Sequence, residues 1–300
     1  MKKKTYLFAL MAMALTLGSC SDNENGIGGE TSKYITVSTS IGNMTRVATD
    51  EKGGQTFEEG DEISVYAWTG DATVAPETRE RVVNNAINKL TNGSWVSTPQ
   101  MLWKNNRDKH YFIGVYPISA ISDLSAGEYT FDVNKQTESD LLVAVNADGL
   151  SYNADEQQTV PLTFTHVMAK LAVNLTYKNQ WGGIPTVEKV VVGNAAKEAT
   201  INYLTKVVTP STTAKEDFSL PEITENTKYV SVIIPQEEVK QLTIVIGGKN
   251  FVYDNGTPFK LESGKITTVN LEVGRDEIKL GDVKITDWEN GSTFSGEALN

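Results

Sequence analysis

The chain has 300 residues, 39% of them hydrophobic, with 38 acidic against 27 basic side chains and a formal net charge of −11 at pH 7. An acidic balance of this size repels nucleic acid and anionic lipid headgroups and excludes both as ordinary partners. A single cysteine excludes an internal disulfide framework and a cysteine-based zinc site.

The first thirty residues speak about compartment. Met1–Lys4 is basic, Tyr6–Leu17 is a short apolar run, and Leu17-Gly18-Ser19 places small residues directly before Cys20. A dozen apolar residues are too few to span a bilayer, for which about 20 are needed, so residues 1–19 read as a cleaved export signal. The Leu-Gly-Ser-Cys ending resembles the lipobox of bacterial lipoproteins, which implies an acyl (palmitate-type) anchor on Cys20. Residues 20–32, polar and glycine-rich, read as a flexible tether; acidic residues there resemble the surface-export signal of Bacteroidetes lipoproteins. What remains suffices for two domains, each with its own core.

Lys33–Ile41 alternates cleanly, with Ile35, Val37, Thr39 and Ile41 on one face, and predicts a first strand. Gly42–Gln55 is polar and predicts an exposed loop around Arg46, the kind of segment a protease can bend into its site. Glu62–Trp68 alternates again. Residues 69–90 predict a loop and a short helix, since Val82, Val83, Ala86, Ile87 and Leu90 have helical spacing, before a strand over Ile87–Thr91 and an Asn92-Gly93 hairpin turn. His110–Pro117, Phe131–Val133 and Leu141–Val145 predict further strands.

Val160–Tyr177 is the organising stretch. Leu162, Phe164 and Met168 share one parity, while Ala169, Leu171, Val173, Leu175 and Tyr177 take the other. A change of apolar parity within one run means a bulge, a bend or a crossing between sheets, expected here at Met168–Ala169. A helix over His166–Leu175 is the competing reading, because Val167, Leu171 and Leu175 are four apart; the Thr, Val and Tyr content favours strand. The run is expected to end a first domain, 33–177. Lys178–Pro185 then reads as a hinge into a second domain, 178–300, with strands at Val187–Val192, Tyr229–Ile234, Leu242–Ile246, Asn250–Tyr253, Phe259–Leu261, Thr267–Val273 and Val283–Trp288. Short alternating strands with turn signals between them predict an all-β protein of two tandem antiparallel β-sandwich domains.

Chemistry is sparse. His110 and His166 sit in strand patterns with no second ligand at metal-site spacing, no nucleophile elbow or phosphate loop appears, and so no catalytic residue, metal or cofactor is expected.

Four signatures in order resemble the fimbrillin family of Bacteroidetes, the major and minor subunits of surface fimbriae. They are the lipobox; Thr45-Arg46 followed by Phe57 and Gly60-Asp61-Glu62-Ile63; Trp95 and Trp103 ahead of Tyr111-Phe112 and Tyr116-Pro117; and Phe164–Leu171. The resemblance implies transthyretin-like sandwiches and a fimbrial subunit at the outer membrane and cell surface, contributing to adhesion and biofilm formation. It further implies cleavage between Arg46 and Val47 by an arginine-specific protease, departure of the strand carrying Ile35, Val37, Thr39 and Ile41, and its replacement by a strand of another fimbrial subunit. Ile278, Leu280, Val283 and Ile285 offer a donor segment, although Gly281-Asp282 interrupts their alternation. Stalk, tip and anchor positions all stay open. The alternative from another class is a non-polymerising, lipid-anchored protein whose exposed tryptophans stack on surface glycans.

Overall fold

The computed structural model describes residues 33–42, 56–132, 135, 139–156 and 158–288. Among the described residues nineteen strands run in chain order. The first nine are β1 (Thr36–Ile41), β2 (Glu62–Thr69), β3 (Arg81–Thr91), β4 (Ser94–Thr98), β5 (His110–Tyr116), β6 (Gly127–Thr130), β7 (Leu142–Leu150), β8 (Thr159–His166) and β9 (Ala169–Tyr177). They are followed by β10 (Val187–Ala196), β11 (Glu198–Asn202), β12 (Val207–Pro210), β13 (Lys215–Leu220), β14 (Glu222–Thr224), β15 (Lys228–Ile233), β16 (Gln236–Ile246), β17 (Lys249–Leu261), β18 (Lys265–Val273) and β19 (Ile278–Asp287). The protein is all-β, as its alternation predicts.

A seven-stranded sheet in the order β1-β8-β7-β5-β2-β3-β4 forms the first half. Its interior strand β2 is buried on both faces. Ile63, Val65 and Ala67 point to one core with Phe112, Leu162 and Phe164, and Tyr66 and Trp68 to a second core shared with the C-terminal half. The sheet curls until its two edges approach: Trp95 of β4 hydrogen-bonds Thr39 of β1, and the segment leading into β1 bonds residues 101–103. Close packing at the fold of this curl demands glycine at 114, where an added Cβ would lie 2.7 Å from Phe164 Cζ.

The C-terminal half is a sandwich of a four-stranded sheet, β13-β10-β16-β17, on a five-stranded one, β14-β15-β9-β18-β19. A small sheet, β12-β11-β6, pairs β6 of the first half with β11 of the second. Two pairings are parallel, β1 with β8 and β9 with β18; the rest are antiparallel. Thr31–Asn300 forms one compact unit.

The parity change lies where the sequence placed it. β8 stops at His166, β9 starts at Ala169, and the two belong to different sheets. The helix alternative is not formed. Its consequence for the halves differs from expectation, however. β9 does not close the first sheet but sits at the centre of the five-stranded one, so the changeover falls at Val167–Met168 and not after Tyr177. Lys178–Pro185 is accordingly no hinge: the Lys178 amide and the Trp181 indole both donate to Val273 O, and Gln180 accepts from the Arg275 amide.

Other departures have local causes. Residues 78–80 form one 3-10 turn and β3 already begins at Arg81. Asn85 takes a positive φ of 56°, the pairing with β2 shifts register nearby, and the buried positions step from Val83 to Ala86. A three-residue step in a bulged strand therefore imitates helical spacing. Asn92-Gly93 makes the expected hairpin, both residues with positive φ. Asn250–Tyr253 and Phe259–Leu261 are one strand, because Asp254-Asn255-Gly256 opens a bulge opposite Gln241 and Val239 and not a turn.

Candidate functional site

The site is built around β1. Alternation turns Ile35, Val37 and Ile41 into the first core, where they are 2%, 6% and 8% exposed. Thr39, on the same face, is half-buried. Burying two isoleucines and a valine stabilises the fold by about 1.5–3 kcal/mol each at most. On one edge β1 has a full parallel ladder with β8, from Thr36 opposite Thr159 to Ile41 opposite Phe164. Hydroxyls line the outer face: Thr36 Oγ1 lies 3.2 Å from Thr159 Oγ1, and Ser40 Oγ donates to Thr163 Oγ1 at 3.2 Å.

The other edge is different in kind. At its start the chain is fixed by Ile35 N to Met101 O at 2.9 Å and Trp103 N to Lys33 O at 3.2 Å. Beyond that, β1 and β4 are not paired, and a cavity of about 580 Å³ opens between them, lined among others by Val37, Thr39, Ile41, Phe57 and Trp95. One side-chain bond crosses it, Trp95 Nε1 donating to Thr39 Oγ1 at 3.0 Å. Phe57 closes the far end, meeting Trp95, Tyr116 and Phe164 edge to face at 5.3, 5.4 and 5.1 Å.

Without β1 the same residues would form a trench. Its walls would be the free edges of β8 and β4, and its floor Val65, Met101, Phe112, Leu142, Leu162 and Phe164, all buried. Unpaired N–H and C=O groups beside a row of apolar pockets are what an extended peptide needs in order to bind. The floor residues are apolar, with buried Asn88 reaching Met101 beside them, so what the trench chiefly offers is shape and backbone pairing.

The histidines are structural. His110 is fully buried; its Nε2 accepts from the Lys104 amide at 3.0 Å and its Nδ1 faces Asp108 O at 3.1 Å, which fixes the neutral tautomer. Burial above all pushes its pKa below the ordinary histidine range. His166 bonds Asp140 at 2.9 Å and stacks on Trp288 with 3.9 Å between ring centres. Among the described residues no group of three or more His, Cys, Asp or Glu is placed to hold a metal, and no helix is long and apolar enough to cross a membrane. None of the five tryptophans is exposed: Trp68, Trp103 and Trp288 are buried, while Trp95 and Trp181 are half-buried. The glycan-stacking platform expected of exposed tryptophans is therefore not found.

The second sequence-read segment is β19. It pairs with β18 alone and forms the edge of its sheet. Ile278, Leu280, Val283 and Ile285 stand opposite Val273, Leu271, Val269 and Thr267, so all four share one face. The interruption at Gly281-Asp282 is a bulge opposite Asn270 that restores the register. Ile278 and Leu280 pack on the core, whereas Val283 and Ile285 remain 37% and 38% exposed. Trp288, just beyond, anchors the strand end on His166 and donates its amide to Gly264 O at 3.0 Å. Cys20, Arg46 and Val47 lie outside the described residues. Trp95 was legible as one aromatic of the fimbrillin resemblance; its bond to a residue 56 positions away leaves no local signal.

The sequence pattern of the fimbrillin-like family matches residues 45–288. The chain belongs to that family. Over 99% of its length it is 25% identical to all of Fim1C, a candidate fimbrium subunit of Bacteroides uniformis. Two solved structures share the fold of this family member. A candidate cell adhesion protein of Bacteroides uniformis aligns over 86% of this chain and 100% of its own at 18% identity and a TM-score of 0.63. Another from Bacteroides ovatus covers 85% and 98% at 17% identity and 0.64.

Proposed function

We propose that this chain is a subunit of a surface fimbrium and that it joins its neighbours by exchanging β1 for a strand of another subunit. The observation that carries this reading is the single-sided seating of β1: three side chains fill a core, yet along Thr36–Ile41 the backbone ladder runs to β8 alone. In this reading the export signal delivers a Cys20-acylated protein to the outer membrane and cell surface. An arginine-specific protease cuts between Arg46 and Val47, the segment carrying Ile35–Ile41 leaves, and the exposed trench takes up the incoming strand. The resulting polymer serves adhesion and biofilm growth.

Cleavage at one place is consistent with how the other arginines are held. Arg79 lies in the 3-10 turn and Arg81 is buried; the Arg107 amide bonds Asn105, while Arg275 is fixed through its amide to Gln180 and through its carbonyl to Lys249. A protease needs an adaptable stretch of backbone, which such bonding denies it.

The test is to treat the exported protein and an Arg46→Ala variant with an arginine-specific protease. The expected result is a new N-terminus at Val47 and ladders of linked subunits in the parent only. Parent protein that is cut at Arg46 yet stays monomeric would sink the exchange reading, and binding of polysaccharide by that monomer would put the glycan-binding alternative in its place.

A further inference from the structure

The trench is not uniformly apolar, and that bears on which strand can occupy it. Three of the four inward positions of Ile35–Ile41 carry aliphatic side chains, but the third carries Thr39, whose hydroxyl oxygen receives the indole N–H of Trp95. The indole is held from the other side by Phe57, packed edge to face at 5.3 Å. Phe57 is wedged in turn against Phe164 and Tyr116. Trp95 is thus not free to swing its donor elsewhere without disturbing the aromatic cluster. Neighbouring groups on β1 do not duplicate the bond, since Thr36 and Ser40 engage β8 instead.

Resting on the strand-exchange reading above, we propose that Trp95 reads the incoming strand. The partner is an extended segment of another subunit with aliphatic residues at the positions of Ile35, Val37 and Ile41. At the position of Thr39 it carries a hydrogen-bond acceptor of about the size of threonine. An aliphatic residue at that position fits sterically but removes the 3.0 Å partner of the half-buried indole N–H, so the incoming strand loses one hydrogen bond. Discrimination against a missing partner is the strong form of specificity in an apolar site. A donor that alternates perfectly in hydrophobic residues is, on this argument, a poorer occupant than one interrupted by a hydroxyl.

The experiment uses the full mature chain cut at Arg46 and offers it synthetic peptides spanning Lys33–Gly42, with the native sequence or with Thr39→Val. Uptake is read by mass spectrometry of the retained peptide and by Trp fluorescence. The native peptide should bind about fivefold more tightly than the valine peptide, the effect of one hydrogen bond lost. On a Trp95→Phe chain, which keeps an aromatic ring against Phe57, the two should bind alike. Equal binding to the parent chain, or the same preference on the Trp95→Phe chain, would overturn the role of Trp95 alone. Failure of every peptide to enter the cut chain would overturn strand exchange itself, and the selection with it.

Discussion

The first and last of the described strands, β1 and β19, are both edge strands and are used in opposite ways. β1 is short and exposes little, because its inward residues complete a core. β19 is longer and fully laddered to β18, yet half of its apolar face is open to solvent. Taking away β19 would uncover mainly the edge of β18, whereas taking away β1 opens the interior of the first half. Burial and backbone pairing are therefore separable: the strand with more rungs contributes less to its core.

A charge tests this contrast most severely. Val37→Asp places an unpaired carboxylate in the first core and should destabilise the protein by at least about 4 kcal/mol in urea unfolding. Ile285→Asp, on the open part of β19, should change stability by only about 0.5 kcal/mol, and equal losses at both positions would erase the distinction. Next in size, Trp288→Ala removes the aromatic that pins the end of β19 and should cost about 3 kcal/mol, with faster amide exchange confined to β19 and the adjoining part of β18. A loss spread over the first half would show that β19 supports more than its own sheet. Gly114→Ala drives a Cβ to 2.7 Å from Phe164 and 3.1 Å from Leu162 and should cost about 2 kcal/mol, since both of those side chains are buried and must shift.

The smallest effect concerns protons. His110 is buried neutral, so its pKa in the fold lies below that of the unfolded chain. Protonation therefore favours unfolding: the contribution is intact above the unfolded value of about 6.5 and is lost as pH falls below it. Urea midpoints of the parent should decline from pH 7.5 to 5, and His110→Gln should flatten that decline. An unchanged slope would place the acid sensitivity elsewhere.

Much of this contrast was readable in the chain, for reasons that are themselves physical. The parity of Ile35, Val37 and Ile41 announced a buried face, and the flip between Met168 and Ala169 announced a change of sheet, because side-chain alternation is a local property. Pairing is not local. Nothing in Ala169–Tyr177 says that its neighbours are β15 and β18, so the boundary between halves was drawn about ten residues too late. Bulges account for two further errors, turning β3 into an apparent helix and β17 into two strands, while the short strands β6 and β11–β14 carried too little alternation to be read. Thr39 read simply as one of the four inward residues of a cleanly alternating strand, and only the approach of Trp95 shows its hydroxyl engaged.

The parallel sense of β1 and β8 has a mechanical consequence. β8 leads at its far end into the C-terminal half, and under the proposed strand exchange a donor lying as β1 does would enter the trench from the opposite end. Tension applied along a fibre of such units would drag the two strands past each other lengthwise, straining six rungs together, where an antiparallel arrangement pulled from one end would peel them singly. Joints of that geometry yield at high force and slowly, which suits a filament exposed to flow; stretching single filaments with optical tweezers would show it as abrupt, high-force ruptures and not gradual unzipping.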